Sequence, residues 1–203
     1  MEAGSTFDAL ALLTDNMKAM HRRLLLNERV VVFMDNSNFF GSVARVSRDS
    51  QQKYRVDYSK LYKLLMAERF GIDAICYCSE WETDQESRSK RENFQIMMQK
   101  AGFSLVRVPQ RPGAGREKGL DAAIVKDMTS IARDCPRADT FVLIAGDGDY
   151  SGTISELRRK HGVKVEVAFF GSETAYSLRE AAFLFTDLEP LRNQIQLDRP
   201  FLE

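Results

Sequence analysis

At 203 residues the chain is long enough for one well-buried core, and its 44% hydrophobic and 29% charged residues are ordinary for a globular domain. Twenty-nine Lys and Arg balance 29 Asp and Glu, which excludes a polybasic coat as the grip on nucleic acid but leaves room for a local basic surface beside an acidic pocket. No apolar run approaches the roughly 18 residues of a membrane span and nothing at the start reads as a leader, so the expectation is a cytoplasmic protein without membrane contact.

Residues 7–25 predict an amphipathic helix, with Leu10, Leu13, Met17, Met20 and Leu24 at helical spacing. Lying ahead of the first strand, it makes residues 1–27 an appendage. Its stripe needs either the domain's flank or a second copy of the chain, so a homodimer is one expectation. Residues 28–34 form a β-branched run suited to a strand buried on both faces. After the turn that follows and a polar stretch over 47–53, Asp57 is placed to cap a helix through Leu61, Leu64 and Leu65 that stops near Gly71. Further strands are predicted at 72–79, 103–108, 140–145 and 163–169. Helices separate them: one reaching Lys100, one from Gly119 to about Arg133, and one over 151–161. Between Pro109 and Lys118 the run PQRPGAGREK predicts an exposed basic loop. A helix ending at Ala181 and a short strand within 183–188 complete a domain over 28–189, and 190–203 form a polar tail. Strands alternating with helices imply right-handed crossovers and an α/β fold, a three-layer α/β/α sandwich with a mainly parallel sheet. Cys76, Cys78 and Cys135 lack zinc-type spacing and read as buried free thiols.

Acids appear where the strand-like runs end. Asp35 follows Val30-Val31-Val32-Phe33-Met34, Asp147 and Asp149 follow the apolar run at 141–146, and Asp121 lies in the first turn of a predicted helix. The carboxyl ends of parallel strands open onto one crevice, so acids distant in sequence are expected to converge there. Carboxylates within about 4 to 6 Å of one another cannot all stay ionised unless a cation joins them. Oxygen-only donors suit Mg²⁺ or Mn²⁺ better than zinc. The pattern implies metal-dependent phosphodiester chemistry. Asn38 and its neighbour Ser37 can hydrogen-bond a carboxylate, a water or a phosphate, although capping of the following turn is the plainer role for Asp35 and Asn38. The helix dipole alone favours Asp121 at a helix start, while the adjacent Lys118 adds a cation suited to phosphate. Gly146 and Gly148 allow a tight turn that lets Asp147 and Asp149 face one pocket just ahead of a helix N-terminus.

The blocks VVVFMDNSNF, KGLDAAIVKDM and FVLIAGDGDYSGTISELRRKHGVKVEV, closed by SLREAAFLFTDL, make residues 29–189 resemble a NYN domain of the PIN-like nuclease superfamily, specifically its LabA-like branch. The resemblance implies a PIN-like sheet whose acids bind Mg²⁺ or Mn²⁺ and cleave RNA. It assigns Asp35 as the first acid, Asp121 as the second, and Asp147 with Asp149 as the remaining pair, with Asn38 as the polar residue of the opening motif. The chain departs from the pattern at Ala145, where many relatives carry a hydroxyl, and at Asn36, where a small residue is common. Ser151 is the candidate to supply the missing hydroxyl.

Substrate grip is expected from Arg111, Arg116 and Lys118, with Arg45, Arg48 and Lys53 as a second basic group; a solvated charged face is the ordinary fate of such residues. Trp81 can stack on an unpaired base, an interaction worth roughly 1 to 3 kcal/mol, or else pack in the core. Stacking and a basic loop suit single-stranded RNA better than duplex. Neither His21 nor His161 is needed for the chemistry. Rival expectations are a catalytically weak RNA-binding or regulatory module and a DNA-directed nuclease. A von Willebrand-type adhesion site fails because Phe39 stands where its second serine belongs, and a Toprim module fits the order of acids less well.

Overall fold

Seven residues, RVVVFMD, set the centre of the molecule. They form β1 (Arg29–Asp35), and from Val30 onward every one is buried, as a run of β-branched and large apolar side chains permits only in a strand covered on both faces. The computed structural model describes residues 27–49, 54–80, 85–109, 118–135 and 137–198. The amphipathic stretch of 7–25, Trp81 and nearly all of the basic loop, with Arg111 and Arg116, lie outside them.

Beside β1 stand β2 (Phe70–Glu80), β3 (Ser104–Pro109), β4 (Thr140–Ile144), β5 (Lys164–Phe169) and β6 (Leu184–Asp187), in the spatial order β3-β2-β1-β4-β5-β6. Every pairing is parallel. The connecting helices are α1 (Asn36–Asp49), α2 (Tyr58–Met66), α3 (Gln85–Lys100), α4 (Lys118–Asp134), α5 (Tyr150–His161), α6 (Tyr176–Ala181) and α7 (Arg192–Ile195). Alternation along β1 assigns the layers. Val30, Val32 and Met34 pack with Phe39 of α1, Leu61 and Leu65 of α2, and Met98 of α3. Val31 and Phe33 pack with Leu120, Ile124 and Met128 of α4, Tyr150, Ile154 and Leu157 of α5, and Leu178 of α6. The expected three-layer α/β/α sandwich is therefore the observed one, with a sheet parallel throughout. The strand order reverses between β1 and β4, which opens a crevice at their carboxyl ends.

One helix departs from expectation. Where the sequence reads as a turn running into a polar stretch, α1 begins directly after Asp35. The Asn38 amide donates to Asp35 Oδ1 at 2.9 Å, a capping contact, and Phe39, Ser42 and Val46 are buried at helical spacing. Tertiary burial thus overrides the weak propensity of a segment carrying Gly41, Ser42 and β-branched Val43. Phe39 also stacks on Phe170, with ring centroids 5.8 Å apart, and so fixes the first turn of α1 against the end of β5. Strand β2 begins two residues early, and its register with β1 skips Ile72, an extra residue of bulge type that stays exposed.

At the amino ends of the strands the charges are paired. Arg69 donates to both carboxylate oxygens of Glu166 at 2.8 and 3.0 Å, Glu28 accepts from Thr140 and Lys164, and Arg29 forks onto Asp139. Residues 191–198 lie back across α2. The Asp57 amide donates to the Ile195 carbonyl, Val56 bridges Gln196, and Lys60 meets Asp198. The three cysteines are free thiols, Cys76 buried and the others partly so.

Candidate functional site at the carboxyl ends of β1 and β4

The alternation that sends Val31 and Phe33 toward α4 and α5 sends Asp35 the same way, and there it stops being an apolar position. Asp35 is 3% exposed. Its Oδ2 accepts a hydrogen bond from the Tyr150 hydroxyl at 3.0 Å, and the same hydroxyl lies 2.8 Å from Asp121 Oδ1. Asp121 is carried by the first turn of α4 and Tyr150 by the first position of α5. Strand β1 and the amino ends of two helices on one face of the sheet therefore meet at one hydroxyl. Burial pushes the Asp35 carboxyl up to about 6. The negative charges of Asp121 and Asp147 add to that, while the Asn38 amide and the Tyr150 hydroxyl oppose it. Burial and the two carboxylates also push the Tyr150 phenol far above its usual range. It stays a neutral donor at any physiological pH.

The loop after β4 is held from two sides. Asn38 Oδ1 accepts the Gly146 amide at 2.8 Å, tying α1 to the loop, and the Gly146 carbonyl accepts from the Ala175 amide at 2.9 Å. A Cβ at Gly146 would lie 2.5 Å from the Glu173 carbonyl oxygen and from the Phe169 ring, so no side chain fits there. Asp147, half-buried, accepts the Asp149 amide on Oδ1 at 3.0 Å. The two acids differ in setting: Asp147 acts on Asp35, whereas the Asp149 side chain is exposed and makes no capping bond to α5.

Among the other residues singled out by sequence, the Ser37 hydroxyl meets that of Ser79 at 3.4 Å. Ser151 lies partly buried in the first turn of α5, its carbonyl accepting from Ser155. Lys118 opens α4 three residues before Asp121, which puts its backbone at the same rim. Tyr150 was not foreseen. Its place directly after the acidic loop was the available signal, but an aromatic at a helix start reads as core, and its ring is indeed core. Asn36 Oδ1, next to Asp35 in the chain, is buried without a hydrogen-bond partner.

Asp35, Asp121 and Asp147 offer oxygen and no sulfur or imidazole, a donor chemistry that fits a hard divalent cation. Among the described residues no three such groups close into a metal cage. Between Asp35 and Asp121 the gap holds the Tyr150 hydroxyl instead. No helix of the described residues is long and apolar enough to cross a membrane.

Comparison with known proteins gives one family and one fold. The NYN domain matches residues 29–189. The chain is similar in structure to a protein of unknown function from Vibrio parahaemolyticus RIMD 2210633, with a TM-score of 0.69 and 22% identity over 84% of this chain and 96% of the other. No curated protein sequence matches it.

Proposed function

The chain belongs to the NYN domain family of the PIN-like nuclease superfamily, and from that premise we propose that it is a metal-dependent ribonuclease acting on single-stranded RNA. The observation that carries the reading is Asp35, a carboxylate buried at a strand end and facing two further acids, an arrangement that raises its own pKa and gains most from a cation. Asp35, Asp121 and Asp147 would hold Mg²⁺ or Mn²⁺. Such an ion, when bound, makes water a better nucleophile and neutralises charge on the scissile phosphate.

The chain's own residues supply the rest. Asn38 ties the loop that carries Asp147 to the helix that follows Asp35. Asp149, exposed at the rim, is the acid left to orient a water and take its proton. Attack in line with the leaving 3′ oxygen leaves a 5′-phosphate and a 3′-hydroxyl. Lys118, Arg116 and Arg111 are proposed to track the backbone, Ser37 and Ser151 to meet a phosphate, and Trp81 to stack on a base. A second copy of the chain, joined through the stripe of 7–25, is the proposed assembly.

Labelled single-stranded RNA incubated with the protein and Mn²⁺ tests the proposal. Cleavage by the wild type and at least about a hundred-fold loss in Asp35→Asn is expected, the scale on which removal of one electrostatic contributor acts. Equal decay in both proteins rejects this pocket as the source. A parallel strand of DNA settles which sugar is accepted. One observation favours a second reading, an RNA-binding or regulatory module with weak turnover: the Tyr150 hydroxyl stands in the gap between two of the acids. Tight RNA binding without cleavage in either metal would carry that reading instead.

A further inference from the structure

We propose that Tyr150 is a placeholder for the cation: its hydroxyl bridges Asp35 and Asp121 and gives up its bond to at least one of them when a divalent ion enters. The inference rests on the assignment of those two acids as cation ligands.

Three features of the site lead to it. First, the hydroxyl has a fixed position. Tyr150 is 1% exposed and packed in the core with Leu120, Ile124 and Met128 of α4, so the oxygen it projects cannot wander without repacking that core. Second, a phenol owns one hydrogen. The hydroxyl lies within hydrogen-bond distance of two carboxylate oxygens but donates to only one at a time, so one of the two contacts lacks a hydrogen whenever both acids are ionised. The bridge is thus half as good as its distances suggest. Third, the spacing belongs to a hydroxyl and not to an ion. Contacts of 3.0 and 2.8 Å hold the two carboxylates farther from their common centre than the roughly 2.0 to 2.1 Å of Mg²⁺–oxygen bonds. Ion and hydroxyl therefore compete for the same two oxygen atoms. Asp35 does not depend wholly on the hydroxyl, because its other oxygen keeps the Asn38 amide.

Tyr150 is on this account a positioning residue with a cost. It keeps like charges from springing apart before the metal arrives, and the metal must displace it. Tyr150→Phe separates the two effects. Titration calorimetry with Mn²⁺ alone, in the full chain without RNA, should show roughly ten-fold tighter binding in the variant, the scale of one hydrogen bond to a charged group. Melting should show the variant less stable than wild type without metal and close to it at saturating Mn²⁺. Unchanged affinity with an equal loss of stability in both conditions makes the hydroxyl a structural bond only and overturns the proposal. Weaker binding overturns it too, since the hydroxyl would then be helping to hold the ion. A wild type that binds no Mn²⁺ overturns both this inference and the assignment of the acids beneath it. If Tyr150→Phe does not fold, 3-fluorotyrosine placed at position 150 reads the same event. Its ¹⁹F resonance is expected to shift on saturation with Mg²⁺, and a resonance that stays fixed sinks the idea.

Discussion

The two ends of the same strands treat sheltered carboxylates in opposite ways. At the amino ends Glu28 and Glu166 face the Arg69 guanidinium, with Thr140 and Lys164 completing the shell of Glu28. At the carboxyl ends Asp35 faces a hydroxyl, a backbone amide and the charges of two other acids. One end has its countercharge built into the chain. At the other, Asp35 forms no ion pair among the described residues. A protein gains nothing in stability from gathering acids in a dry crevice, so the second arrangement points to use and the first to support.

Breaking the supported end should give the largest effect. Arg69→Met would strand Glu166 beside a side-chain site that is 6% exposed and leave Glu28 with Thr140 and Lys164 alone, and a loss of about 3 to 5 kcal/mol in chemical denaturation is expected. A loss below about 1 kcal/mol would mean that the network is no firmer than a surface pair.

The same kind of change at the other end should act in the opposite direction. The Asp35 carboxyl titrates at about 6 in the folded protein against a usual 3.8, so the native state binds its proton more tightly than the unfolded state. Its penalty is absent below about pH 4, grows as pH rises to about 6, and is complete at neutrality. Asp35→Asn removes a charge that resists burial. The amide it introduces can donate to the Tyr150 oxygen, which frees that hydroxyl's hydrogen for Asp121. Without metal the variant should be more stable than wild type by about 1 to 3 kcal/mol at pH 7.5. The gap should close as pH falls toward 4.5, as measured by urea denaturation across that range. A gap that widens on acidification would contradict the sign of the shift.

The smallest effect belongs at the close of α2, two residues before Arg69. Ala67 sits at φ 45, a left-handed conformation that costs a residue with a Cβ. Ala67→Gly should raise stability by about 0.5 to 1 kcal/mol with no charged group altered, visible as a small rise in melting temperature.

The parts of this comparison that the sequence made legible are the local ones. Fully apolar runs ending in an aspartate marked β1 and β4, and the glycines around Asp147 marked a tight turn, because strand, stop and turn are each written in adjacent residues. The start of α1 was hidden because Asp35 serves two purposes, capping the helix while standing in the crevice, and its residues carry weak helical propensity. The difference in exposure between Asp147 and Asp149, joined by an amide-to-carboxylate bond, is not specified by the glycine pattern. The tether from Asn38 to Gly146 spans 108 positions, and the pairing of Arg69 with Glu166 spans 97. Such contacts depend on strand order, which periodicity alone does not give. Tyr150 was obscured for a different reason: one side chain is core at its ring and polar site at its tip.

Strand order also fixes when the crevice comes into being. Tyr150 follows Asp35 by 115 residues, and β4, which must lie against β1 to bring them together, emerges after β3-β2-β1 can already pair. Until then a growing polypeptide on the ribosome carries Asp35 on an open sheet edge, apart from Tyr150 and the loop after β4. The crevice that gathers Asp35, Tyr150 and the loop after β4 therefore closes only once most of the chain has been translated.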